Sequence, residues 1–140
     1  MKYLLDTCVL SELVKTTPEE QVVGWLTEHR ADQTFISAIT IAELQRGIAK
    51  LPKSKRRSGL ITWMKQIESD FKDRILAFDQ VVAHSWAEMT AQSEARGKSM
   101  ATFDSMIAAT AQAHGCHLVT RNVRDFVNSG VEITNPWETE

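Results

Sequence analysis

No stretch of this 140-residue chain approaches the length of a membrane span, and no internal repeat, low-complexity tract or interdomain linker interrupts it. Cysteine is scarce: Cys8 and Cys116 each sit in an apolar run, with no C-x-x-C pair and no histidine at metal-ligand spacing. That excludes a disulfide framework and a zinc site of the usual spacing, and suits a reduced, cytoplasmic protein. Excess charge is lacking too, the formal net value being −2, so any attraction to a polyanion must be local rather than a diffuse cationic field. The apolar start Met1–Leu5 is cut by Asp6 far short of a signal-peptide core, and no small-residue cleavage site follows. With 43% apolar residues the chain can bury one sizeable core but not comfortably two, so a single domain over 1–140 is expected.

The hydrophobic pattern alternates between short buried runs and helical spacing. Tyr3–Leu5 reads as a strand that ends at Asp6-Thr7 and passes into a helix carrying Val9, Leu10 and Leu13. Pro18 suits the first turn of a helix carrying Val22, Val23 and Leu26. Phe35-Ile36 is a second strand, followed by helical spacing from Thr40 to Leu51, and Leu60, Met64, Ile67 and Phe71 define one face of a further helix. Arg74–Phe78 is strand-like. A helix beginning around Val82, Trp86 and Met89 should stop at Gly97, and the alanine-rich helix Phe103–His114 should end on a left-handed Gly115. His117–Thr120 and Val131–Ile133 complete the strands. Strands separated by helices, with no hairpin signal, predict an α/β layer fold around a mostly parallel sheet.

Three carboxylates share one kind of setting: Asp6 just after the first strand, Glu43 in the first turn of the helix after the second strand, and Asp104 at the start of the alanine-rich helix. Each has a local explanation as well. Thr40 and Glu43 read as a T-x-x-E capping box, and acids are favoured at helix N-termini. In open parallel sheets, however, the carboxyl ends of the strands converge on one crevice where ligands bind. Carboxylates gathered there raise one another's pKa unless a cation intervenes, and oxygen-only donors suit Mg²⁺ or Mn²⁺ rather than zinc. That combination points to phosphoryl chemistry. A dehalogenase-like phosphatase needs a second Asp where this chain has Cys8, and a phosphoacceptor receiver needs adjacent acids near the first strand, which are absent. The histidines, His29, His84, His114 and His117, are scattered with no matching nucleophile, which argues against a hydrolytic triad.

The ordered segments Leu5-Asp6-Thr7 with Ser11-Glu12-Leu13, Ile36-Ser37 through Ala42-Glu43-Leu44 to Gly47-Ile48, Thr102-Phe103-Asp104 with Met106–Ala111, and Leu118–Phe126 closing with Asn135-Pro136-Trp137 resemble the acidic motifs of PIN domains. The last block is similar to that of the VapC and FitB toxin group. Each motif alone is short; their order along nearly the whole chain is specific. The resemblance implies a three-layer α/β/α fold, Mg²⁺ or Mn²⁺ in the acidic crevice and endonucleolytic cleavage of RNA. It also implies a homodimer and a cognate antitoxin that inserts a peptide near the active site and often binds DNA. By the same resemblance Asp6 and Asp104 are metal ligands, and Glu43 is a ligand or a base orienting the attacking water. The fourth acid departs from the common pattern: Asn122 stands where many PIN domains have Asp. It offers an uncharged oxygen, and Asp125, one turn onward, either completes the catalytic set or is only an acid near a helix start.

Several further residues have two readings. Thr7 either places its hydroxyl near the metal or RNA phosphate or simply caps a helix. Arg121, Arg124 and Arg46 are phosphate contacts or solvated arginines, Arg121 being the best placed beside the crevice. The run Lys50, Lys53, Lys55, Arg56, Arg57 either guides RNA or is a solvated connection. Asp79 is expected as an N-cap, Glu12 as a support of the acidic site, and Trp25, Trp63 and Trp86 as packing residues. Two competing functions follow: a non-catalytic PIN-like module that binds RNA or protein, with Asn122 marking a degraded site, or a dimerisation partner whose acids are only caps.

Overall fold

A computed structural model describes residues 1–138. Five strands, β1 (Lys2–Leu5), β2 (Thr34–Ser37), β3 (Ile75–Leu76), β4 (Cys116–Val119) and β5 (Ile133–Thr134), form one sheet in the order β3-β2-β1-β4-β5. Every pairing is parallel, with Leu4 opposite Leu118 and Leu5 opposite Val119 at the centre. Parallel strands need crossovers, and helices supply them: α1 (Thr7–Leu13), α2 (Glu20–Glu28), α3 (Ala38–Ala49), α4 (Lys55–Asp70), α5 (Gln80–Ala95), α6 (Thr102–His114) and α7 (Val123–Phe126).

Because strand side chains alternate faces, consecutive apolar residues feed two separate cores. Leu4, Phe35 and Leu118 join Val82, Met89, Ile107 and Phe126 in one. Leu5, Ile36 and Val119 join Val9, Leu10, Val22, Ile48 and Met64 in the other. The sheet is therefore sandwiched between α5–α7 and, chiefly, α1–α4, which is the expected three-layer α/β/α arrangement. The expected stops are present: Asp79 caps α5 through Val82 N–H at 3.0 Å, and Gly97 and Gly115 adopt φ of 69° and 65°. Among the described residues no helix is long and apolar enough to cross a membrane.

Local expectations fail where a distant group takes over the cap. Pro18 lies ahead of α2, not in its first turn, because the Glu12 carboxylate accepts the Glu19 N–H at 3.0 Å and sets the start at Glu20. Glu12 is also paired with Lys15 at 2.9 Å; this cation and the Glu19 amide hold its carboxyl below the usual range. It is thus a buried tie between α1 and α2. The Thr40–Glu43 capping box is absent as well, since Ser37 caps α3 through Ile39 N–H at 3.0 Å and Thr40 lies fully buried inside the helix. The basic run splits: Lys53 precedes α4, while Lys55, Arg56 and Arg57 occupy its first turn behind the Ser54 cap. Cations are electrostatically disfavoured there.

Candidate active site

The sheet order reverses at β1 and β4, and the crevice beyond their carboxyl ends holds the acidic residues. Asp6 follows β1 directly, its own N–H bonding Val119 O at 2.9 Å, so its position is an extension of the central ladder. It is 4% exposed. One carboxylate oxygen accepts Thr7 N–H at 2.8 Å, making Asp6, and not Thr7, the cap of α1. The other accepts the Thr120 hydroxyl at 2.8 Å and lies 3.6 Å from Cys8 Sγ. Burial nevertheless wins over these donors and pushes the Asp6 carboxyl up, with Asp125 adding to the effect.

Asp104, in the first turn of α6, is half-buried and pushed up to about 6, first by burial and then by the charges of Asp6, Asp125 and Glu43. These four carboxylates therefore share one field. Glu43 projects from the second turn of α3, not the expected first, because the helix begins at Ala38 behind the Ser37 cap, and its Oε1 accepts the Thr7 hydroxyl at 2.8 Å. Asp125 is exposed on α7, its N–H bonded to Asn122 O at 3.0 Å. Asn122 is exposed at the start of α7 and makes no side-chain cap; its N–H donates to Thr120 Oγ1 at 3.0 Å. Arg121 is exposed, with its N–H 3.5 Å from Cys8 Sγ and its guanidinium 5.5 Å from the Trp137 ring centroid. Arg46 and Arg124 are exposed, and no acid pairs with either among the described residues.

Thr120 and Cys8 gained their importance only in three dimensions. Thr120 ties the β4 exit loop to Asp6 across 114 residues of sequence. The one available signal was its place as a polar residue at the end of a buried strand. Of the tryptophans, Trp86 donates to Ser105 Oγ at 2.8 Å and Trp25 meets Tyr3 edge-on, so both pack internally. Trp63 instead contributes to a groove as well as to the core.

The donor set suits a hard divalent cation: four carboxylates that feel one another's charge, none of them in an ion pair with lysine or arginine among the described residues. No three acidic, histidine or cysteine side chains among the described residues stand close enough to share an ion. Binding one therefore requires side-chain torsions to close the set, against repulsion that the ion itself removes. The raised Asp104 carboxyl gives this a pH signature. In the folded protein Asp104 binds a proton more tightly than when unfolded, so the metal-free protein is expected to lose stability as pH rises from about 4 through about 6. After allowance for solvent screening the loss is on the order of 1 kcal/mol. Mn²⁺ should restore it, and the half-saturating Mn²⁺ concentration should rise by up to about tenfold per unit as pH falls below about 6. Thermal unfolding with and without Mn²⁺ across pH 4–8 checks both.

A groove of about 900 Å³ opens beside the acids, reaching from Thr7 and Glu43 between α1, α3 and α4 to Trp63. Its floor includes Gly47 and Gly59, both inside helices, and a Cβ built on either meets nothing within 4 Å. Lys15, Lys55 and Arg56 also line it.

Residues 3–128 match the family model described as PIN domain. The chain is 38% identical over 139 residues to the VapC ribonuclease Y4jK of Sinorhizobium fredii, covering 96% of this chain and 97% of that protein. It is 39% identical over 135 residues to toxin FitB of Neisseria gonorrhoeae, with 96% and 97% covered. The crystal structure of FitAcB from Neisseria gonorrhoeae superposes with a TM-score of 0.92 at 38% identity, covering 98% of this chain and 99% of that one. A structure of FitAB bound to a DNA fragment gives the same TM-score at 39% identity, with 99% and 97% covered. With the family model matched over residues 3–128 and relatives of 38–39% identity matched over nearly the whole chain, this chain belongs to the PIN-domain family.

Proposed function

We propose that the chain is a divalent-metal-dependent endoribonuclease acting in the cytoplasm as the toxin of a VapBC- or FitAB-like pair. The observation that carries this reading is the uncompensated acidic crevice at the strand ends, with Asp104 lifted to about 6 by burial and then by its acidic neighbours, in a chain 38% identical to a VapC ribonuclease. Asp6, Asp104 and Glu43 are the residues to hold Mg²⁺ or Mn²⁺, with Asn122 or Asp125 completing the set. When bound, such an ion neutralises charge on a phosphodiester and makes a water easier to deprotonate.

The chain's own groups do the rest. Thr120 and the Thr7 amide hold the Asp6 carboxylate in a single orientation. Glu43, fixed by Thr7, is set to orient the attacking water and take its proton. Arg121, backed by Trp137, is placed to receive an RNA phosphate. Incubating purified chain, freed of any partner, with total RNA tests the reading. Internal cleavage that requires Mg²⁺ or Mn²⁺ and stops in chelator is expected; metal-independent cleavage, or none at any metal concentration, overturns it in favour of a binding module.

The FitA–FitB and VapBC structures are complexes, and the groove beside Glu43 is where we place the antitoxin. Apolar walls suit an apolar helix face or strand. The lining cations, two of them, Lys55 and Arg56, crowded into the first turn of α4 against its dipole, suit an acidic segment in that antitoxin. A homodimer, and a DNA-binding region in the antitoxin, complete the assembly by analogy with FitAB on DNA.

A further inference from the structure

Thr40 is 0% exposed in the first turn of α3, where its hydroxyl is not needed as a cap because Ser37 serves that purpose. A buried hydroxyl requires a partner, and the one it has is Thr7 Oγ1 at 3.3 Å. Thr7 Oγ1 is in turn 2.8 Å from Glu43 Oε1. A hydroxyl carries a single proton, and an ionised carboxylate can only accept. Thr7 is the donor in both contacts, its one proton lying between the Glu43 carboxylate and the Thr40 oxygen. The three side chains form one connected cluster with the Thr7 hydroxyl at its centre, held on one side by Thr40 Oγ1 and on the other by Glu43 Oε1. It runs from inside α3 across to α1 and back to α3.

We infer that Thr40 is a positioning residue that acts through Thr7 to fix the Glu43 carboxylate toward the crevice. The inference rests on the nuclease reading given above. Loss of the buried Thr40 oxygen leaves one side of the Thr7 hydroxyl unheld, so Thr7 is free to rotate and Glu43 free to swing away from the acids. Thr40 has no solvent exposure and touches no substrate; its effect must pass through Glu43. The T-x-x-E spacing serves this purpose because residues three apart lie on one face of a helix, so one residue of α1 reaches both.

Thr40→Val keeps the branched shape and deletes the hydroxyl, and Thr40→Ser restores it. In the RNase assay at saturating Mn²⁺, Thr40→Val is expected to lower kcat about tenfold with KM unchanged, and Thr40→Ser to recover to within about twofold of wild type. Independently of activity, denaturation midpoints read the chain directly: Thr7→Val and Thr40→Val each lower the midpoint, and the double variant falls no further than the larger single effect. Should Thr40→Val fail to fold, Thr40→Ala provides the same comparison. Wild-type kcat in the Val variant together with additive midpoints overturns the inference. A wild-type protein that cuts no RNA while the midpoints remain non-additive removes the nuclease reading and leaves the chain of hydroxyls standing.

Discussion

Replacing Asp6 or Asp104 by asparagine is expected to reduce metal-dependent RNA cleavage on the order of 10³-fold while the protein remains folded. The two substitutions reach that result by different physical routes. At Asp6 both carboxylate oxygens are already engaged, by the Thr7 amide and the Thr120 hydroxyl, in a position 4% exposed. Asparagine keeps the oxygen that caps α1 but turns an amide donor toward a hydroxyl that was itself donating. The Thr120 hydroxyl must then reorient, which disturbs the link to Asn122. At Asp104 the change removes a charge that burial and then its acidic neighbours disfavour. Metal-free Asp104→Asn protein is therefore expected to unfold at a higher temperature than wild type at pH 7.5, and to lack the loss of stability between about 4 and about 6. Loss of cleavage with a gain in stability is a pairing that simple misfolding does not produce. Undiminished cleavage by either purified variant refutes the assignment of these two acids.

Filling the groove should separate the chain from its antitoxin. Gly59 lies within α4 and a Cβ there meets no atom within 4 Å, so Gly59→Arg is accommodated and gains roughly 1 kcal/mol of helix propensity. Its side chain then occupies the space beside Trp63 and Leu60. Antitoxin affinity is expected to fall by about 100-fold or more, corresponding to roughly 3 kcal/mol or more, as measured by calorimetric titration. Cells carrying the variant should be killed even when the antitoxin is co-expressed. Gly24→Ala is the control: α2 is equally open at that position, Gly24 does not line the groove, and the substitution should stabilise the protein without changing affinity. Unaltered antitoxin binding by Gly59→Arg would place the partner elsewhere. Helical glycines with nothing packed on them are costly in a free chain, which is a reason to expect close approach of another backbone.

Sequence alone carried the architecture well where the signal was local. The apolar triplet before Asp6, the glycine after His114 and the aspartate before Gln80 each act through bonds to near neighbours, and each marked its element. It failed where another residue took the cap. The threonine three residues after Ser37 looked like a cap, but β2 passes into α3 with no intervening loop and Ser37 itself takes that place. Pro18 was overruled by Glu12, a residue of a different helix. The acids were legible as a set through their order and their place after strands. The hydroxyls that orient them, Thr120 on Asp6 and Thr40 through Thr7 on Glu43, were not, since no periodicity links residues 114 or 33 positions apart. Asn122 and Asp125 stay in balance: the former is the residue in the motif position, the latter the one whose charge is felt by Asp6 and Asp104.

Both outer strands, β3 and β5, contribute only two residues each to the ladder. A flank that short offers almost no unpaired backbone for another chain to zip onto, so self-association cannot proceed by extending the sheet. Any pairing of two subunits must be made by helix surfaces, and its strength will answer to side-chain substitutions there, not to conditions that favour amyloid-like stacking.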